Sequence, residues 1–162
     1  MRVVLGVLLC SCLAGCASRA NPGAVAFGAG ANDLGILQEE NYVSPGVMLE
    51  ARGPRVWKQL RPIAGAQYST RRSLLGYAGA AYDFRLGRRV VLTPSFSVGA
   101  FDRGTGKEVG STHQFRSAIE LAHERANGHR IGLVVQHVSN GNTVLPNPGT
   151  EAAYLTYSIP VR

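Results

Sequence analysis

Arg130-Ile131-Gly132-Leu133-Val134-Val135-Gln136-His137-Val138-Ser139 decides the fold. Ile131, Leu133 and Val135 fall on one side of an extended chain, opposed by Arg130 and Gln136. Successive side chains of a strand point to opposite faces, so a period of two marks a strand with one apolar and one polar face. A helix would need apolar residues three and four apart, and this stretch does not supply them.

The same alternation recurs outward in both directions. Downstream, Ala153, Leu155, Tyr157 and Ile159 oppose Tyr154, Thr156 and Ser158. Upstream, Phe115, Ile119 and Leu121 oppose Gln114, Arg116, Glu120 and Glu124, and Val90, Leu92, Phe96 and Val98 oppose Thr93, Ser95, Ser97 and Gly99. Val47 and Leu49 oppose Glu50 and Arg52. The pattern predicts strands over about 24–30, 44–52, 61–69, 73–84, 89–99, 113–125, 129–138 and 151–160. The first, third and fourth of these are rich in Ala and Gly and alternate less clearly. Asn127-Gly128 marks a tight hairpin.

Two all-β architectures carry such a pattern. A soluble barrel of lipocalin type turns its apolar face inward. A membrane barrel turns it outward against lipid and keeps a polar lumen. Strand length favours the membrane, because a tilted spanning strand needs about 9–11 residues. So do charges of both signs on the polar face, namely Arg116, Glu120, Glu124 and Arg130. The expectation is an eight-stranded antiparallel up-and-down transmembrane β-barrel. With both termini periplasmic, the long connections 31–43, 100–112 and 139–150 lie outside and the short turns inside.

The chain starts with Arg2 and an apolar run from Val3 to Ala14, which reads as an export signal over residues 1–20 rather than a spanning helix. The barrel domain is then 21–162. Leu13-Ala14-Gly15-Cys16 has the form of a lipobox ending at Cys16, and ordinary cleavage near Ala17 to Ala20 is the alternative. All three cysteines precede residue 17, so the body of the chain holds no disulfide. A net charge of +7 and a pI near 9.8 suit an anionic partner. The arginines are scattered through turns rather than aligned on one helix, which argues against nucleic acid.

A chemical inventory gathers at the end of the quoted strand. His137 and Ser139 share a face, and a turn-rich stretch leads to Glu151 at the start of the last strand. Imidazole, hydroxyl and carboxylate are the parts of an activated nucleophile, its base and the group that orients the base. By alternation all three continue the lipid-facing side, where polar groups are costly unless they pair.

His137-Val138-Ser139-Asn140-Gly141, followed by Pro146-Asn147-Pro148-Gly149-Thr150-Glu151 and by Tyr154 and Tyr157, closely resembles the end of the lipid A 3-O-deacylases, the PagL family. The close match covers 129–159. The resemblance implies an eight-stranded outer-membrane barrel in a Gram-negative bacterium that hydrolyses the ester holding a 3-hydroxyacyl chain at position 3 of lipid A. It implies Ser139 as nucleophile, His137 as general base and Glu151 as the residue that holds the imidazole. It implies Asn147 as oxyanion donor, helped by backbone N–H groups near Gly141 and Asn142, with Asn140 supporting the loop. Asn142 stands where a glycine is expected.

The family chemistry calls for no cofactor and no metal, and His113, His123 and His129 lack metal-ligand spacing. Lipid A within lipopolysaccharide is the expected partner; monomer and homodimer both remain open. Two other readings compete. One is a non-enzymatic barrel or lipid-binding lipoprotein, indifferent to loss of Ser139. The other is an esterase for a different membrane lipid. Gly104-Thr105-Gly106-Lys107 fails as a phosphate loop, since Phe101 replaces the first glycine and Glu108 the hydroxyl residue; it reads as a flexible outer loop. Arg71, Arg72, Arg103 and Lys107 near the outer end are candidates to meet lipid A phosphates. Trp57, between Arg55 and Lys58, reads as an interface anchor or a packed loop residue.

Overall fold

A computed structural model describes residues 22–35 and 43–161. The expected export signal and the lipobox reading at Cys16 fall outside these residues. The strands are β1 (Gly23–Asn32), β2 (Ser44–Arg52), β3 (Leu60–Ser69), β4 (Leu74–Tyr82), β5 (Val90–Asp102), β6 (His113–Glu124), β7 (Arg130–Ser139) and β8 (Thr150–Val161). A two-residue segment, Phe84–Arg85, pairs with β5 as Phe84↔Leu92 and Arg85↔Val91. This continues the β4–β5 register, Ala81↔Ser95, so β4 resumes after Asp83 rather than giving way to a ninth strand.

Each strand pairs antiparallel with the next, and β1 pairs with β8 from Gly23↔Val161 to Asn32↔Ala152. The sheet therefore closes into an eight-stranded barrel without edges. Closure at β1 needs small residues. A Cβ at Gly30 would lie 1.9 Å from the Ala153 carbonyl oxygen, and one at Gly79 in β4 would lie 2.0 Å from that of Phe96.

The apolar side of the alternation faces outward. Val47, Leu49, Phe96, Val98, Ile119, Leu121, Leu133 and Leu155 are all exposed, while Glu50, Arg52, Arg116, Glu120 and Arg130 are buried. This inverts a soluble barrel and excludes the lipocalin-type alternative. Arg116 is only 2% exposed at the barrel centre.

Buried charges are tolerated only when paired and hydrogen-bonded, and the lumen meets that condition. Arg52 donates to Glu50 (2.8 Å) and Glu120 (2.6 Å). Glu50 also accepts from Tyr77 (2.9 Å), and Glu120 from Thr156 (2.8 Å). Asp83 accepts from Arg61 (3.1 Å), Arg130 (3.0 Å) and Thr93 (2.9 Å). Arg116 donates to Gln136 (2.7 Å), which exchanges two 2.7 Å bonds with Gln67, and its guanidinium lies 4.4 Å from the centre of the Tyr77 ring. The lumen is thus a packed polar core. Interleaved with it, Ile63, Leu75, Tyr77, Ala81 and Val138 form an apolar cluster against which Phe101 packs.

One end of the barrel carries Pro22, Val161 and the turns 53–59, 86–89 and 125–129. The Asn127-Gly128 hairpin is a tight turn in which the Gly128 N–H donates to the Arg125 carbonyl (2.9 Å), with Gly128 at φ +82°. The other end carries residues 33–35 and 43 and the connections 70–73, 103–112 and 140–149. The 103–112 connection is tied down rather than flexible. Lys107 and Val109 are buried, and Phe101 N–H donates to the Thr112 carbonyl (2.7 Å). Lys107 is thereby withdrawn from the lipid phosphates it was expected to meet; Arg72 and Arg103 remain exposed and Arg71 is half-buried.

Candidate active site

Antiparallel register sets the core of the site. β7 and β8 pair so that His137 stands opposite Glu151, and β6 and β7 so that it stands opposite Ser117. His137 Nδ1 and Glu151 Oε1 are 2.8 Å apart. The side chains are 40% and 5% exposed, so the imidazole covers the carboxylate on the outer wall. The expectation that both lie on the lipid-facing side is met in direction, but Glu151 itself is shielded. Its Oε2 is buried without a hydrogen-bond partner among the described residues.

The start of β8 is fixed from two sides. Leu34 N–H donates to the Glu151 carbonyl (3.0 Å), and Thr150 Oγ1 donates to Asp33 Oδ1 (2.7 Å). Burial pushes the Asp33 carboxyl above the usual range, against the Thr150 hydrogen bond and the charges of Lys107 and Arg71.

Ser139 ends β7, two residues beyond His137 on the same face, half-buried and opposite Phe115. Its hydroxyl forms no hydrogen bond with the imidazole among the contacts present. The Phe115 ring stacks on Phe96, with ring centres 6.0 Å apart.

The chain then reverses through Asn140-Gly141-Asn142-Thr143. Gly141 and Asn142 have φ +64° and +62°, and Thr143 N–H donates to the Asn140 carbonyl (3.3 Å). Positive φ at both central positions is the signature of a type I′ turn. Asparagine enters the left-handed region more readily than other non-glycine residues, so Asn142 supplies the conformation expected of a glycine. Among the described residues the N–H groups of Gly141 and Asn142 have no hydrogen-bond acceptor.

Asn147 braces this turn. Its Oδ1 accepts from the Asn140 N–H (3.0 Å), and its Nδ2 donates to Asn142 Oδ1 (3.0 Å). One amide proton of Asn147 remains for another acceptor. Asn140 is fully buried, and its Nδ2 donates to the carbonyls of Val144 (2.9 Å) and Val109 (3.4 Å). It is a clasp between the two long outer connections. His113 joins the clasp, its Nε2 lying 2.6 Å from Thr143 Oγ1.

Two features escape a reading of the sequence. Gly149 (φ +61°) packs against the imidazole; its signal was only a glycine two positions before Glu151. An apolar groove runs along the outer wall beside the His137–Glu151 pair, lined by Pro94, Ser117, Ile119 and Val135. These belong to three strands, and no local pattern links them.

A closed barrel with a charged lumen, an apolar belt and a carboxylate–imidazole pair on its outer wall defines a class, the membrane-embedded β-barrel hydrolases. The family model for the lipid A 3-O-deacylases (PagL) matches residues 46–160. The chain belongs to this family, whose members are ester hydrolases of the outer membrane. The crystal structure of the outer-membrane enzyme PagL superimposes with a TM-score of 0.63 at 24% identity, covering 85% of this chain and 99% of that one. A de novo designed transmembrane β-barrel gives 0.59 at 11% identity, covering 86% and 95%. A search of curated protein sequences finds no match.

Proposed function

We propose that this protein removes the 3-O-linked 3-hydroxyacyl chain from lipid A, with Ser139 as nucleophile, His137 as base and Glu151 as the orienting carboxylate. The 2.8 Å contact between His137 and Glu151 on the lipid-facing wall carries this reading. An imidazole held at Nδ1 presents Nε2 as its basic nitrogen.

The chemistry runs in two halves. Ser139 Oγ attacks the ester carbonyl carbon while its proton passes to His137 Nε2. The carbonyl oxygen becomes an oxyanion, met by the remaining Asn147 amide proton and the Gly141 and Asn142 N–H groups. Collapse breaks the bond to the sugar oxygen, which takes the proton from His137 and leaves as the free 3-hydroxyl. Water, deprotonated by the same imidazole, then cleaves the acyl-serine and releases the 3-hydroxy fatty acid. This step needs the Ser139 hydroxyl to close on the imidazole once substrate is bound, as catalytic hydrogen bonds that are long in the free enzyme do.

Mass spectrometry of lipid A from a Gram-negative host expressing the wild type or Ser139→Ala tests the proposal. The expected result is loss of one ester-linked 3-hydroxyacyl group with the wild type alone. Intact lipid A, from folded protein and again in detergent-dispersed substrate, would overturn it.

A further inference from the structure

We infer that the end of the barrel bearing the chain termini binds the headgroups of anionic glycerophospholipids, through the turns 53–59 and 86–89. The inference goes beyond the deacylase reading and does not depend on it. It uses only the outer-membrane barrel, whose short turns face the periplasm and hence the phospholipid leaflet.

Charge bookkeeping at this end comes first. Among the described residues its carboxylates are Asp83 and Glu124, and Arg61, Arg85 and Arg130 already hold them. Asp83 pairs with Arg61 (3.1 Å) and Arg130 (3.0 Å); Glu124 pairs with Arg85 (2.9 Å) and Arg130 (2.9 Å). Lys58, Arg88, Arg89 and Arg125 stand on the turns, all exposed, and none has an ion pair with a described carboxylate. At the opposite end one exposed arginine, Arg103, is compensated by Glu108 at 3.0 Å.

The cations also have apolar company. Val56 and Trp57 are 68% and 60% exposed on the first turn, and the Lys58 ammonium lies 4.6 Å from the centre of the Trp57 ring. Leu86, 55% exposed, precedes Arg88 and Arg89 on the second. Exposed apolar side chains beside unpaired cations match a bilayer interface, with apolar groups at the acyl boundary and cations at the phosphates. A soluble acidic partner would leave Val56, Trp57 and Leu86 unexplained. Anionic rather than zwitterionic lipid follows from the uncompensated charge.

Trp57 is the only tryptophan in the chain and reports on its neighbours directly. The protein is reconstituted in phosphatidylcholine bilayers containing either brominated phosphatidylglycerol or brominated phosphatidylcholine, and Trp57 quenching is measured. Phosphatidylglycerol should quench with an apparent affinity about five-fold higher, the equivalent of ~1 kcal/mol for one engaged cation. High salt should erase the preference. So should the combined Lys58→Gln, Arg88→Gln, Arg89→Gln variant, whose folding is verified by its gel mobility with and without heating. Arg72→Gln with Arg103→Gln, at the opposite end, should leave it unchanged. Equal quenching by the two lipids, an unquenched Trp57, or a preference surviving neutralisation of the turns would each overturn the inference. Lipid A deacylation is scored separately, so failure of either reading leaves the other standing.

Discussion

Gly149 and His137 touch so closely that the imidazole has its place only because residue 149 has no side chain. A Cβ there would lie 2.8 Å from His137 Cε1 and 3.3 Å from Nε2. Gly149→Ala must therefore displace the ring from Glu151 or distort a backbone held at φ +61°. Displacement of a catalytic group by about 1 Å costs on the order of 100-fold in rate. We expect kcat to fall by that order while the barrel stays folded, since the strain is confined to an outer connection. Deacylation kinetics with a detergent-solubilised lipid check this; unchanged kcat would show that the ring relaxes without consequence.

Asn140 gives a sharper test because its two roles need different atoms. Its Nδ2 donates to the Val144 and Val109 carbonyls, and its backbone N–H donates to Asn147. Asn140→Asp keeps the shape and removes the donor, since a carboxylate only accepts. Both Asn140→Asp and Asn140→Ala should loosen the clasp between 103–112 and 140–149, at about 1–3 kcal/mol for the buried groups left unpaired. Protease nicking of both connections should rise together with loss of turnover. Rescue by aspartate would show that volume, not donation, is what matters.

In the lumen, Arg52 bridges Glu50 and Glu120. Arg52→Leu leaves two buried carboxylates without their shared cation. Breaking a buried pair from one side costs about 3–5 kcal/mol, read as a lower unfolding midpoint in urea. Molecules that still fold should deacylate normally, because the His137–Glu151 pair lies on the other side of the wall.

These sites differ in how far the sequence announces them. The eight strands were legible because the lumen and the lipid impose opposite chemistry on alternate residues. The signal faded in β1, β3 and β4, where close approach of strands at Gly30 and Gly79 demands small residues and erases the contrast. The facing of His137 and Glu151 followed from alternation together with the family resemblance. The burial of Asn140 and Lys107 was invisible, because it comes from two connections distant in sequence packing together over the barrel mouth. Gly110 marks that contact: a Cβ there would lie 2.0 Å from the Pro146 carbonyl oxygen. The break at Asp83 was likewise hidden, since it serves Arg61 and Arg130 from other strands.

Asp33 predicts a pH effect. Burial raises its carboxyl pKa in the folded state. The raised pKa means that folding favours the protonated form, so its stabilising contribution is present below the unfolded value, about 3.9, and is lost as pH rises through the folded value. Asp33→Asn mimics the protonated form. It should unfold at a higher temperature than wild type at pH 7, and the gain should shrink towards acid. A constant gain across that range would remove Asp33 as the cause.

Glu151→Gln separates positioning from stability by asking for opposite signs. The wild-type carboxylate is buried, with Oε1 on His137 and Oε2 without a partner among the described residues. Glutamine removes a buried charge, so the barrel should be as stable as wild type or more so. It retains a carbonyl oxygen that can accept from Nδ1–H, but on the proposed mechanism it no longer stabilises the imidazolium that would form as Ser139 gives up its proton. Rotated the other way, its amide donates to Nδ1 and fixes the wrong tautomer. Loss of kcat by roughly 100- to 10,000-fold is expected, with KM nearly unchanged because Glu151 is shielded from lipid by the imidazole. A matched loss of stability and activity would instead mean that Glu151 holds the start of β8 in place and leaves the chemistry to other groups.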